Sequence, residues 1–252
     1  MIKLNNYEVK ATIFPDGTSQ VWKLPEEFLS HDIKLHRIYW EFQSESEIFH
    51  IMQLNTLLKY ARIPCDITLE MPYLPYARQD KNISNNTTFA LHTFASIINS
   101  MRFTKVIVKD AHSSVACGLI NNLVDLFPLN EILDTIGCCD SDAIALPDKG
   151  AYDRYSKEFK DIHTIIGHKA RDQVTGYIKE YSFEGDPKGK SILIIDDICD
   201  GGMTFRLLAR DLLKVGALEV NLYVTHGIFS KGIDVLKKDG INRIFTHKGE
   251  IR

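Results

Sequence analysis

Residues 192–205 read ILIIDDICDGGMTF. Four apolar residues precede two adjacent acids, Asp196 and Asp197. A third acid, Asp200, is followed at once by Gly201, Gly202, Met203 and Thr204. Apolar residues return at helical spacing from Phe205 through Leu208 and Leu212. The pattern predicts a buried strand over 192–195, a tight loop and an amphipathic helix from Phe205. Paired glycines let backbone amides approach a ligand, and a helix N-terminus adds partial positive charge. Such a loop suits a phosphate. The acids just before it would repel that phosphate and suit hydroxyls or a metal ion. A phosphate and a diol side by side describe a ribose 5-phosphate site. The plainer alternative is a βα turn whose acids cap a helix.

A second stretch, residues 71–80, reads MPYLPYARQD. A strand end opens into a loop with two prolines and two tyrosines, then Arg78, Gln79 and Asp80. Loops after strands are the usual ligand side of a parallel sheet. Arg78 can pair with a polyphosphate and the tyrosines can line a base pocket. The alternative is a surface loop with a local Arg–Asp contact.

These stretches need elements to hold them. With 252 residues the chain is long enough for one or two domains and a sizeable core. A formal charge of -3 argues against a general nucleic-acid binder. No apolar run approaches the ~20 residues that span a bilayer, and the first ten residues lack a signal-peptide pattern. Five scattered cysteines without a CxxC pair suggest reduced thiols in a cytoplasmic protein.

Strands are expected at 7–14 and 19–24 around a Pro15-Asp16-Gly17 turn, then at 38–42, 67–71 and 105–108. Helices are expected at 46–60, with Ser46 in the cap position, and at 88–101 and 114–121. Residues 124–130 read as a join. The alternation then restarts, with helices at 131–136 and 152–159 and strands at 143–146 and 163–166. Residues 167–176 are polar and charged and read as an exposed loop. Strands at 178–183 and 220–224 and a short helix at 232–238 complete the pattern. Strands alternating with helices imply α/β architecture, with parallel sheets covered on both faces. The expected domains are 1–129 and 130–252.

The string Tyr76-Ala77-Arg78-Gln79-Asp80 closely resembles the PYxxYARQD segment of ribose-phosphate pyrophosphokinases, also called PRPP synthetases, where it belongs to the ATP site. The loop at 196–204 resembles the PRPP-binding loop shared with phosphoribosyltransferases, which lack the first string. The resemblance extends along most of the chain. Phe14 and Asp16 fall in a segment similar to the family's FxDGE, whose residues contact adenine in a neighbouring subunit; Thr18 replaces the glutamate. Asp110-Ala111-His112 is similar to DLH, which makes His112 a metal and ATP ligand. Asp148 falls in a segment similar to SPDxG, near a second metal or the ribose. Lys169 and Arg171 match basic residues of a mobile loop, and residues 225–230 look like THxIFS.

The resemblance implies two phosphoribosyltransferase-like, Rossmann-like domains and a homo-oligomer, dimer or hexamer. It implies transfer of a diphosphoryl group from ATP, with Mg²⁺, to the 1-hydroxyl of ribose 5-phosphate. Lys169 and Arg171 would act on the transferring phosphoryl group, and Asp196, Asp197 or Asp200 would hold the ribose and take the proton. Gly201, Gly202, Met203 and Thr204 would complete the phosphate loop. The loop departs from the family's DTxGT. Gly201 removes a hydroxyl donor and Met203 stands where glycine is normal. A larger 5-substituted acceptor such as ADP-ribose is therefore an alternative, and a non-catalytic regulatory relative is another.

Overall fold

The computed structural model describes residues 1–30, 32–60, 65–171 and 178–251; for 29, 169–171 and 178–180 it describes the backbone alone. The chain divides into two compact units, Met1–Phe127 and Pro128–Arg252. Each is an α/β unit built on a mostly parallel sheet.

Unit 1 contains β1 (Ile2–Leu4), β2 (Tyr7–Glu8), β3 (Thr12–Ile13), β4 (Ser19–Gln20), β5 (Leu35–Trp40), α1 (Glu47–Tyr60), β6 (Asp66–Glu70), α2 (Ala90–Ser100), β7 (Lys105–Lys109), α3 (Val115–Leu119) and β8 (Leu123–Leu126). The sheet order is β2-β1-β5-β6-β7-β8, with β5 to β8 parallel and β1 and β2 antiparallel at one edge. The hairpin around Pro15-Asp16-Gly17 forms, but its strands β3 and β4 are only two residues each. Tyr7 and Glu8 leave it to pair with β1. Residues 123–126 form an edge strand, where a join had been expected. In β5, His36, Ile38 and Trp40 are buried while Leu35 and Arg37 are exposed. That alternation marks one core face and one wetter face, so coverage is not equal on both sides. Arg37 meets Glu70 of β6 at 3.4 Å.

The α1 helix starts one residue after the predicted cap. Ser46 Oγ pairs with Ser44 Oγ at 2.8 Å. Glu47 does the anchoring: its carboxylate accepts from Gln43 N at 2.8 Å and from Trp40 Nε1 at 2.9 Å.

Unit 2 contains α4 (Leu129–Cys138), β9 (Ala143–Leu146), α5 (Lys149–Tyr155), β10 (His163–Arg171), β11 (Ile178–Glu184), β12 (Ser191–Cys199), α6 (Met203–Lys214), β13 (Glu219–Gly227), α7 (Asp234–Lys238), β14 (Ile241–Thr246) and β15 (Gly249–Ile251). The sheet order is β11-β10-β9-β12-β13-β14-β15, antiparallel only at β11 and β15. All four residues of β9 are buried. Alternate residues divide between two cores. Ala143, Ala145, Ile192 and Ile194 join Phe205, Leu208 and Leu212 of α6 on one side. Ile144, Leu146, Leu193 and Ile195 join Ile132 of α4 and Tyr155 of α5 on the other. This is the apolar run expected of a sheet covered on both faces.

Three readings of unit 2 change. Residues 167–171 are not loop: β10 runs on to Arg171 and pairs antiparallel with β11. Pairing satisfies the backbone amides of this polar run, which its composition alone did not signal. The rest of the expected loop, 172–176, lies outside the described residues. The strand at 192 does not stop at Ile195; β12 continues through both acids to Cys199. The helix at 152–159 sits earlier, because Asp148 caps α5 by accepting from Ala151 N at 2.9 Å. No helix among the described residues is long and apolar enough to cross a membrane.

Replacing Glu47 by Ala strands the buried Trp40 indole N–H. We expect unit 1 to lose about 1–3 kcal/mol, measured by urea denaturation followed by tryptophan fluorescence.

Candidate active site

In unit 2 the chain leaves β9 for β10 on one side and later returns to place β12 on the other. Strand order therefore reverses between β9 and β12, and ligands of open α/β sheets bind beyond the carboxyl ends of strands at such a point. Two segments emerge there: Pro147-Asp148 after β9, and Asp196 through Thr204 at the end of β12.

Asp196 and Asp197 lie in the strand and point to opposite faces by its alternation. Their surroundings differ accordingly. Asp197 is 2% exposed and holds the Arg154 guanidinium of α5 in an ion pair. Asp196 is half-buried and accepts the Asp197 backbone N–H at 3.0 Å. Burial, then the charges of Asp197 and Asp148, hold the Asp196 carboxyl well above the usual carboxylate range, and Arg154 offsets them only in part. Adjacent acids in sequence thus become one group paired with Arg154 and one group with raised proton affinity.

Cys199 closes the strand, and its carbonyl accepts from Ile228 N at 2.8 Å and Phe229 N at 3.1 Å. Asp200 and Gly201 follow. Gly202 has φ +73, and a Cβ there would stand 2.6 Å from Leu236 Cδ2. Both facts require glycine. Its carbonyl receives Arg206 N at 3.0 Å, so α6 begins at Met203, two residues earlier than predicted. Met203 is 48% exposed and does not pack into the core; Thr204 is half-buried beside it. Asp239, after α7, receives Arg210 Nε at 2.9 Å and pairs with Arg206, which ties α6 to the turn before β14.

Lys169 and Arg171 belong to β10, with Cα partners Tyr181 and Ile178 on β11. Their side chains lie outside the description. Asp148, Asp196, Asp197, Asp200 and the loop 201–204 are brought together by β9 and β12. Arg154, which pattern reading missed, joins them through α5. Its only sequence signal is its place six residues after Asp148 on one short helix.

Unit 1 carries the other expected residues. Arg78 and Gln79 are exposed and Asp80 half-buried, on the loop after β6. Leu74 and Ala77 are buried and anchor this loop. Tyr76 takes the left-handed region at φ +63, packs its ring tilted against Phe94 with centroids 5.2 Å apart, and donates to Glu45 at 2.5 Å. Burial and the Glu45 carboxylate push its phenol up to about 12. His112 is exposed on the loop after β7. That loop is tied in when Ala111 N donates to Asp125 at 3.0 Å, and Lys109 N donates to Pro72 O at 3.0 Å. The Arg78 and His112 loops therefore leave neighbouring strands at the same end of the sheet. Phe14 and Asp16 belong to the β3–β4 hairpin, which α1 holds through Gln53 and His50. Asp16 spends its carboxylate on its own turn, accepting from Thr18 Oγ1 at 2.7 Å and Thr18 N at 3.0 Å, and these bonds lower its pKa.

The fold and the loop define unit 2 as a phosphoribosyltransferase-type α/β domain, and the phosphoribosyl transferase domain family matches residues 154–250. A curated ribose-phosphate pyrophosphokinase of Cereibacter sphaeroides is 31% identical over 172 residues, covering 65% of this chain and 51% of that protein. One from Sulfolobus acidocaldarius is 24% identical over 247 residues, covering 95% of this chain and 83% of that protein. The crystal structure of phosphoribosylpyrophosphate synthetase from Mycobacterium smegmatis shares the fold, with a TM-score of 0.77 at 20% identity over 94% of this chain and 78% of that one. The chain is thus similar to ribose-phosphate pyrophosphokinases along most of its length. It spans 51–61% of the length of the first curated relatives it matches.

Two outcomes follow. Asp196 binds its proton more tightly folded than unfolded, so its contribution to stability falls as pH rises from the unfolded value near 3.8 towards the raised folded one. Asp196→Asn should therefore melt higher than the parent at neutral pH, the difference shrinking towards pH 4, in thermal scans without ligand. Gly202→Ala should cost about 1–3 kcal/mol through strain and the Leu236 clash, read from denaturant midpoints.

Proposed function

We propose that the chain transfers the diphosphoryl group of ATP to the 1-hydroxyl of ribose 5-phosphate, releasing AMP and forming PRPP. The observation that carries this reading is the junction of Asp148, the unequal Asp196–Asp197 pair and the glycine loop at one switch point. In the reaction the sugar O1 attacks the β-phosphorus, the bond from that phosphorus to the α–β bridging oxygen breaks, and AMP leaves with that oxygen. Such chemistry depends on positioning and charge neutralisation more than on protein nucleophiles.

The amides and hydroxyl of Gly201, Gly202 and Thr204, with Asp200 beside them, hold the 5-phosphate end at the start of α6. Asp196 holds the ribose hydroxyls, and Asp197 backs it from the other face of β12 through its pair with Arg154. Asp197 is already committed to Arg154, so the 1-hydroxyl proton goes to Asp196, the acid of higher proton affinity. Lys169 and Arg171 neutralise the transferring phosphates. Arg78, Gln79, Asp80, Phe14, Asp16 and His112 serve the nucleotide.

Among the described residues no three His, Cys, Asp or Glu side chains gather to hold an ion. Mg²⁺ takes one or two protein ligands and otherwise keeps water and substrate phosphates. His112 would help hold Mg²⁺ in unit 1, and Asp148 in unit 2 would serve a second ion or the ribose; when bound, Mg²⁺ would neutralise charge on the ATP phosphates. A homo-oligomer, dimer or hexamer, belongs to the same reading.

One observation favours a second acceptor. A Cβ at Gly201 would meet only the flexible stem of Lys231, at 3.7 Å, so space remains beyond the loop. A diphosphate ester such as ADP-ribose would use that space.

The test follows AMP release with MgATP and either acceptor at equal concentration. We expect release with ribose 5-phosphate. A much higher kcat/KM with ADP-ribose selects the second acceptor, and no AMP with either selects a non-catalytic relative. Lys169→Ala should lower kcat by about 10²-fold or more with an unchanged melting curve; near-parental turnover removes Lys169 from the mechanism.

A further inference from the structure

Tyr181 sits on β11 opposite Lys169, its Cα partner across the β10–β11 pair. Its ring packs against the core beneath α6. Its hydroxyl donates to the Pro147 carbonyl at 2.9 Å, across 34 residues of chain. Pro147 is the residue between β9 and Asp148. The ring reaches it by crossing Gly167: a Cβ at that position would collide with the Tyr181 hydroxyl and stand 2.5 Å from Pro147 O. Glycine at 167 is therefore required by close approach, although its φ is not left-handed. Beyond this point the ladder loosens, with a register shift between Ala170 and Arg171.

The contact joins two parts that the sheet alone does not join there. Parallel pairing of β10 with β9 ends at Ile166 against Leu146. Past that pair, β10 and β11 leave the sheet as a two-stranded arm, and such ribbons are only marginally stable by themselves. The Tyr181–Pro147 bond and the Gly167 seat extend the attachment by one further step, to the level of Lys169. Burial, then the charges of Asp148, Asp196 and Asp211, push the phenol up, so the hydroxyl remains a donor throughout the working pH range.

We propose that Tyr181 is a positioning residue: its hydrogen bond to Pro147 over Gly167 clamps the arm carrying Lys169 to the strand end carrying Asp148. This rests on the diphosphoryl-transfer reading for its effect on rate, but the clamp itself does not. Tyr181 acts through the placement of the β10 backbone that carries Lys169 relative to the Asp148 strand end.

The test uses Tyr181→Phe, which keeps the ring and removes the donor, in two independent arms. The first is amide hydrogen exchange on the intact chain without substrate. We expect peptides covering 166–169 to exchange about 3- to 10-fold faster than in the parent, with peptides from β13 unchanged. Unchanged exchange at 166–169 overturns the proposal, whatever the chain's substrate. The second arm is AMP release. We expect kcat to fall about 3- to 30-fold with KM for ATP and acceptor held within about twofold. In a Lys169→Ala background the same substitution should cost less than about twofold, because the residue it positions is gone. Equal cost in both backgrounds also overturns the proposal. If the parent releases no AMP, the functional reading fails, and the exchange arm alone decides the clamp.

Discussion

Pairing of β9 with β12, from Ile192 against Ala143 to Ile194 against Ala145, forces the two strands to run out together. Their side chains are wholly apolar up to that end and acidic just past it. Asp148 and Asp196 are consequently neighbours without being close in sequence, and each raises the cost of charge on the other. Most of what is chemically distinctive in unit 2 follows from this crowding. Arg154 relieves it at Asp197, the cap of α5 occupies one oxygen of Asp148, and Asp196 is left with the shifted proton equilibrium. A half-buried acid crowded by like charges costs stability, and such costs gather where a site needs them.

The remaining elements of unit 2 keep that end of the sheet rigid. Two cores, one on each face, hold β9 and β12 by alternate side chains. The α6 helix is tied down by Asp239 through Arg206 and Arg210, and the loop before it by the Cys199 carbonyl. Unit 1 solves a similar problem with different means. It has no strand reversal among β5 to β8, so its two ligand-side loops leave adjacent strands. They are anchored by buried Leu74 and Ala77, the Tyr76–Phe94 ring contact and the Asp125 carboxylate.

Much of this was legible in the residues. The β9 strand is where the pattern puts it, since four consecutive buried apolar residues between polar turns leave little choice. The β3–β4 turn was readable from Pro15-Asp16-Gly17, because glycine supplies the φ of +84 found there. The α/β class came from alternation, and the family resemblance came from two short strings whose spacing is specific. Errors fell where hydropathy says nothing about pairing. Residues 167–171 are polar, yet they are strand, because β11 supplies their partners. Asp196 and Asp197 look like the start of a loop, yet β13 carries the ladder past them, with Asp196 paired to Val224 and Ile198 to His226.

By itself the sequence determined the element types, the glycine positions and the set of acids, because these depend on local backbone freedom, periodicity and composition. Only the tertiary structure decided which acid is which. Asp196 and Asp197 are identical in type and adjacent, and no local rule separates them. They differ because Asp197 is paired with Arg154 on α5, while Asp196 is crowded by the charges of Asp197 and Asp148. Proton affinity, ion pairing and the clamp at Gly167 are properties of groups brought together from β9, α5, β11 and β12. Those contacts exist only once the sheet has chosen its strand order.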